Sequence, residues 1–175
     1  TTLFRSSLIA TSTWAQRSQR EYIESNSAGV NARIEVLGNA YAQAIKGFYD
    51  AGCRYLQIDD CSMAYFCDPA QRKMLEARGD NPDELEQAYA YALNTALKNR
   101  PADMRITMHV CRGNFRSTFV ASGGYEHIAD LMFNKIDLDG YFLEYDSDRS
   151  GGFEPLRYLP KGKKVVLGIM TSKSP

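Results

Sequence analysis

The chain is poor in several features that would each point to a particular class of protein. Its 175 residues contain no apolar run near the ~18–20 needed to span a bilayer, so no membrane helix and no membrane partner are expected. There is no surplus of charge: Lys+Arg and Asp+Glu both number 21, for a formal net charge of zero. A nucleic-acid binder that works through phosphate contacts needs a basic excess, so no nucleic-acid partner is expected either. Cysteine is scarce, and Cys53, Cys61, Cys67 and Cys111 are the whole set. Four are too few for a disulfide scaffold, and Thr1–Arg20 lacks the basic-then-apolar-then-small order of a secretory signal. The thiols are therefore expected to be reduced or metal-bound, in a cytoplasmic protein. No glycine-rich dinucleotide fingerprint follows any strand-like segment, and no short repeat or low-complexity stretch is present. What is there is an ordinary soluble composition, 44% hydrophobic and 24% charged, at a length suited to one domain or a large piece of one.

Strand-like and helix-like segments alternate after residue 30. Val36, Leu37, Ala40, Tyr41, Ala44, Ile45, Phe48 and Tyr49 recur at helical spacing, and Gly52 follows as a left-handed stop. Asp68-Pro69 opens a short helix that Gly79 ends. Asn81-Pro82-Asp83-Glu84 opens another, whose apolar stripe runs through Leu85, Tyr89, Ala92, Ala96 and Leu97 before Pro101. Tyr125–Lys135 reads as a further helix with Tyr125, Ile128, Ala129 and Met132 on one face. Four strands are expected at residues 53–59, 105–111, 140–146 and 164–170, after an irregular lead-in over 1–30 that includes a strand end at Leu3–Ile9. This cadence means parallel strands with right-handed helical crossovers, closing either as a doubly wound sheet or as part of a (β/α)8 barrel. A whole barrel takes about 250 residues, so the barrel reading makes the chain a part of one.

Successive strand side chains point to opposite faces. One face of 105–111 carries Ile106, Met108 and Val110, and the other carries Thr107, His109 and Cys111. In 53–59 Leu56 and Ile58 oppose Tyr55, Gln57 and Asp59, and in 140–146 Glu144 and Asp146 share a face with Phe142. Strands buried on both faces read as continuously apolar. These three instead become chemically loaded on one face towards their C-terminal ends, where parallel α/β folds place their sites. His109 and Cys111, two apart on a strand, aim into one cavity and suit a borderline-soft ion such as zinc. Read alone, the same pair also fits a buried apolar cysteine beside a hydrogen-bonded histidine. Glu144 on the next strand adds a carboxylate, giving one N, one S and one O ligand, the number found in open catalytic zinc sites. His127 reads as a surface or capping residue, and Cys61 and Cys67, six apart in a loop, read as structural.

Three segments carry a resemblance to the cobalamin-independent methionine synthases. Gly52–Asp60 (GCRYLQIDD) resembles the family's Ile-Gln-Ile-Asp-Glu segment. Thr107–Cys111 (TMHVC) resembles its His-x-Cys zinc motif, and Phe142-Leu143-Glu144 with Asp148-Arg149-Ser150 is similar to its Ile-Glu and Ser-Arg-Ser segment. The phrases Tyr49–Tyr55, Cys111–Ser117 and Glu144–Asp146 resemble the short, stand-alone bacterial members that consist of the catalytic barrel. The resemblance runs from about Glu35 to the C-terminus, with the motifs in the family's order.

The resemblance implies a (β/α)8 barrel, of which this chain is the second half, with zinc as cofactor at the C-terminal mouth. It implies an S-methyltransferase: homocysteine and a methyl donor, methyltetrahydrofolate or another, as small-molecule partners, and methionine as product. His109, Cys111 and Glu144 match the family's zinc ligands, and Asp59 matches the aspartate that binds the homocysteine amino group. Two family residues have no match. The fourth ligand is a cysteine on the last strand, which none of Cys53, Cys61 or Cys67 matches. A histidine after the penultimate strand is assigned to proton donation, and Gly168–Ser174 offers Thr171 and Lys173 instead. No residue is therefore assigned as catalytic, and two other readings stay open: a metal- or thiol-binding barrel fragment without turnover, and a corrinoid-linked thiol methyltransferase of a neighbouring barrel family. Four strands leave two bare edges, so the missing strands come from a longer parent chain, from a second copy in a homo-oligomer, or the piece folds poorly alone.

Overall fold

Among the described residues four strands, β1 (Tyr55–Asp60), β2 (Arg105–Val110), β3 (Gly140–Glu144) and β4 (Lys164–Gly168), pair in chain order as one parallel sheet. The computed structural model describes residues 30–114 and 116–173. The strand end expected at Leu3–Ile9 and the lead-in up to residue 29 lie outside the described residues, and Val30 already belongs to α1 (Val30–Asp50). The other α-helices among the described residues are α2 (Ser62–Cys67), α3 (Pro69–Ala77) and α4 (Pro82–Leu97). Each strand is reached from the one before through a helical or turn-rich crossover, which is the arrangement of a partial (β/α) barrel.

Local chemistry explains the boundaries. Asp68 ends α2 and caps α3, its carboxylate accepting from the N–H groups of Ala70 (2.8 Å) and Gln71 (3.4 Å), with Pro69 in the first turn where its missing N–H costs nothing. Asn81 does the same for α4, accepting from Asp83 N (3.0 Å) and Glu84 N (3.4 Å). The expected helix over Tyr125–Lys135 is a correction. The segment is broken into a 3-10 turn (Tyr125–His127) and a π-type turn (Leu131–Lys135). Its apolar face is as expected, since Tyr125, Ile128, Ala129 and Met132 are all fully buried. The helical ladder is disturbed where the Met132 carbonyl accepts a hydrogen bond from the Tyr141 hydroxyl of β3.

The two faces of the sheet differ as the alternation requires. Leu56 and Ile58 of β1, Ile106, Met108 and Val110 of β2, and Tyr141 and Leu143 of β3 are buried in one core shared with α1, α4 and the 125–135 segment. The opposite face carries Tyr55, Gln57, Asp59, His109, Phe142 and Glu144, all half-buried. β4 is the less covered edge, with Val166 half-exposed on the same face. Between α1, α4 and β1 an apolar cavity of about 240 Å³ remains, lined among others by Tyr41, Ile45, Leu56 and Leu93. No helix among the described residues is long and apolar enough to cross a membrane.

Candidate metal centre

Register brings the polar residues together. β1 and β2 pair Asp59 with His109 and Asp60 with Val110, and β2 and β3 pair His109 with Phe142 and Val110 with Leu143. One residue further along, Cys61, Cys111 and Glu144 fall in a row across three strand ends, directly above Asp59 and His109. The ligand atoms of His109, Cys111 and Glu144 lie within 4.8 Å of one another, all half-buried. Those of Asp59, Cys61 and Cys111 do the same, so Cys111 belongs to both groups.

His109 is oriented by its neighbour strand. Its Nδ1 lies 3.1 Å from the Phe142 carbonyl, which can only accept, so Nδ1 carries a hydrogen and Nε2 faces the site. Nε2 is 3.6 Å from Glu144 Oε1. Burial opposes a charge on the ring, but the hydrogen bond and charge of Cys111, the charge of Asp59 and the Phe142 carbonyl outweigh it and raise His109 above its ordinary value. The position that a second proton takes on Nε2 is the position a cation would take.

The Cys111 sulfur is set up as a thiolate. It receives the S–H of Cys61, an interaction with His109 and, at 3.3 Å, the N–H of Gly113; against the cost of burial these hold it down to about 4. Cys61, as the donor of that bond and a buried thiol among negative groups, is pushed far up. All four cysteines are free thiols. Cys67 is of another kind: burial raises it to about 12, and its thiol points back to the Met63 carbonyl at 3.7 Å.

Glu144 is fixed on all sides. Oε1 accepts from the Arg112 N–H (3.0 Å) and Oε2 from the guanidinium of Arg149 (2.6 Å), which also meets Asp146 at 2.8 Å and is itself buried. The Tyr125 hydroxyl accepts from the Glu144 N–H (3.0 Å) and donates to its carbonyl (3.2 Å), while the Arg112 guanidinium lies over the Tyr125 ring. The segment that follows β2 is pinned too. Asp68 Oδ2 takes the Ser122 N–H (2.8 Å) and hydroxyl (3.2 Å), and Gly123 donates to the Arg149 carbonyl at 2.7 Å. Gly123 has φ +104, and a side chain there would run into the Cys67 carbonyl, so only glycine fits.

The three residues expected as zinc ligands and Asp59 thus stand at one strand-end cluster. The residue set fits a zinc ion: one imidazole N, one thiolate S and one carboxylate O converge, with the outer nitrogen of the histidine already hydrogen-bonded. Three participants were missed in sequence. Cys61 was grouped with Cys67 as structural, although it continues the parity of 55, 57 and 59 by one residue past the strand. Arg149, which holds Glu144, lies in the Asp148-Arg149-Ser150 segment of the resemblance but carried no role there, and Tyr125, which clamps the Glu144 backbone, showed in sequence only its place on an apolar face. His127 is at the surface as expected, its Nε2 3.0 Å from Glu86 and 2.8 Å from Arg72. Asp83, Glu86 and His127 also converge, but the Arg72 guanidinium already sits among them, 2.5 Å from Asp83 and 3.7 Å from Glu86.

The chain is similar to two Bacillus subtilis proteins, the uncharacterized proteins YxjG and YxjH, at 52% and 51% identity over 138 residues. The match takes in 78% of this chain and 36% or 37% of theirs. The chain spans little more than a third of each relative. Among solved structures it is similar to a Listeria monocytogenes protein provisionally described as a vitamin-B12-independent methionine synthase, with 43% identity and a TM-score of 0.61 over 78% of this chain and 37% of that one. No family model matches the chain.

Proposed function

We propose that this chain is the second half of a (β/α)8 barrel of the cobalamin-independent methionine synthase type, and that its strand-end cluster is a zinc centre for transfer of a methyl group to a thiol. The carrying observation is the convergence of His109, Cys111 and Glu144 within 4.8 Å at the C-terminal ends of β2 and β3. The likeness to the Listeria protein described as a methionine synthase supports the same class of chemistry. In this reading His109, Cys111 and Glu144 hold zinc, and homocysteine is the acceptor, with methyltetrahydrofolate as donor. Zinc, when bound, lowers the pKa of a thiol that reaches it and so supplies a nucleophilic sulfur near neutral pH.

The chain's own residues do the positioning. Asp59, beside His109 on the inner face, presents a carboxylate at the distance of one strand from the metal position, which suits the ammonium group of an amino-acid thiol. Arg149 and the Arg112 N–H hold the Glu144 carboxylate in one orientation, so it needs little reorganisation when a cation arrives. The Phe142 carbonyl keeps the His109 ring turned with Nε2 towards the same point. Thr171, which hydrogen-bonds Asp146, stands on the stretch where the family's proton-donating histidine would be expected.

The test uses the parent protein that contains this chain. One zinc per chain, methionine formed from homocysteine and methyltetrahydrofolate, and loss of both on Cys111→Ser are the expected results. Zinc with methyl transfer only from a corrinoid donor would favour the neighbouring barrel family, and zinc without transfer from any donor would leave a binding module. A parent that retains stoichiometric zinc after Cys111→Ser would sink the ligand assignment.

A further inference from the structure

Cys61 and Cys111 face one another on the inner side of the sheet. Each stands one residue past its strand, and the register sets them side by side. Asp60 pairs with Val110, and the Cys111 N–H donates to the Asp60 carbonyl at 2.7 Å. Cys61 continues the parity of Tyr55, Gln57 and Asp59, and Cys111 that of Thr107 and His109, so both side chains share one face. Their sulfurs lie within 4.8 Å of one another, with the Cys61 S–H donated to the Cys111 sulfur. The Gly113 N–H also reaches the Cys111 sulfur, at 3.3 Å.

The backbone allows the two sulfurs to join. Neighbouring strands run about 4.8 Å apart, inside the roughly 4.4–6.8 Å between α-carbons that a disulfide spans. Cys61 has already left the extended conformation, at φ −104 and ψ −11, because α2 begins at Ser62. Its side chain makes no cap bond to that helix; the Asp60 carboxylate serves there, accepting from the Met63 N–H at 2.9 Å. A turn of the Cys61 side chain towards Cys111 therefore costs α2 no cap. The other two cysteines are placed differently. The Cys67 thiol lies in the core on the Met63 carbonyl at 3.7 Å, and the Cys53 sulfur lies on the Tyr55 carbonyl at 3.1 Å, before β1.

We propose that Cys61 and Cys111 form a redox modification site, in which hydrogen peroxide converts the two facing thiols into a Cys61–Cys111 disulfide. The Cys111 sulfur attacks one peroxide oxygen: an S–O bond forms, the O–O bond breaks, and the departing oxygen takes up a proton and leaves as water. The Cys61 sulfur then displaces the hydroxyl of the Cys111 sulfenic acid, and the Cys61 proton leaves with it as a second water. The two thiols lose two electrons in all, and the peroxide gains them. The bond itself requires only the two sulfurs. Its consequence rests on the reading of the cluster as a metal centre. Once the Cys111 sulfur is bound to Cys61, the assigned ligands are reduced to His109 and Glu144, so oxidation and metal occupancy oppose one another.

The parent protein tests this by mass spectrometry. Stripped of metal with a chelator and treated with hydrogen peroxide, it should yield a digest in which the Cys61 and Cys111 peptides are joined, and dithiothreitol should part them. Loaded with zinc, it should form the same bond more slowly and release the zinc as the bond forms. Cys67→Ser should form it as readily as the unaltered protein. Cys61→Ser should instead carry Cys111 on to the sulfinic acid, because no second thiol intercepts the sulfenic acid. Should that variant fail to fold, the digest of the unaltered protein decides. Cys111 found as sulfinic acid beside a Cys61 that still alkylates, or joined to another cysteine of the parent, overturns the proposal. The disulfide forming in a parent that binds no zinc upholds the proposal and overturns the metal centre, so the two readings fail separately.

Discussion

The two faces of the one sheet obey different rules. On the outer face Ile106, Met108 and Val110 are completely buried against helices, and their shape and volume hold the fold. On the inner face, one residue away along the same strand, His109 is half-buried and hydrogen-bonded, and its neighbours are a thiol and two carboxylates. A strand contributes equally to both, so stability and chemistry are interleaved in sequence yet separate in space. Substitutions on the outer face should therefore cost stability, and substitutions on the inner face should cost ligand binding.

The largest stability effect is expected at Met108→Ala, which empties a fully enclosed side-chain volume and should cost about 2–5 kcal/mol in denaturant unfolding of the parent protein. Zinc content per folded molecule should be unchanged; a selective loss of zinc with normal stability would break the separation of faces. Asp68→Ala comes next, since it removes the α3 cap and both contacts to Ser122, for about 2 kcal/mol near neutral pH. This loss depends on pH in a defined direction. Burial alone would raise the Asp68 carboxyl, but the N–H groups of Ser122, Ala70 and Gln71 overcome it and hold it below its ordinary 3.8. The stabilisation is therefore complete above about pH 4 and fades as pH falls through the lowered value, so wild type and Asp68→Ala should converge in acid. A stability gap that widens on acidification would contradict this. Asn81→Ala, at an exposed cap with no tertiary contact of that kind, should cost about 1 kcal/mol with little pH dependence. His109→Gln is expected to have the smallest effect on folding, under about 1 kcal/mol for a half-buried polar residue, yet to abolish stoichiometric zinc. If it unfolds the protein instead, the inner face is structural as well.

Much of this was legible in sequence for a physical reason: it depends on periods of 2 and 3.6, which are local. The four strands lie within two residues of their expected bounds, and the caps at Asp68 and Asn81 follow from side-chain oxygens placed just before prolines. The alternation in β2 assigned Met108 and His109 to opposite faces before any pairing was known. What escaped depends on register or on distant partners. Cys61 lies beyond the last residue of β1, and only the pairing of Asp60 with Val110 shows that it stands beside Cys111. The break in the 125–135 segment depends on a hydroxyl from β3, a strand that follows it in the chain. The hold of Arg149 on Glu144 spans a 3-10 turn (Asp148–Ser150) that has no helical period to betray it.

The order of the strands in space is also their order along the chain. Every ladder among the described residues therefore joins sequence neighbours, and none of these four strands has to slip between two already paired. A sheet of this kind can grow from either margin by simple apposition, each new crossover docking on a finished template. During synthesis β2 can zip onto β1 before β3 leaves the ribosome, and the row of Cys61, Cys111 and Glu144 is then assembled one residue at a time, in the order in which it is translated.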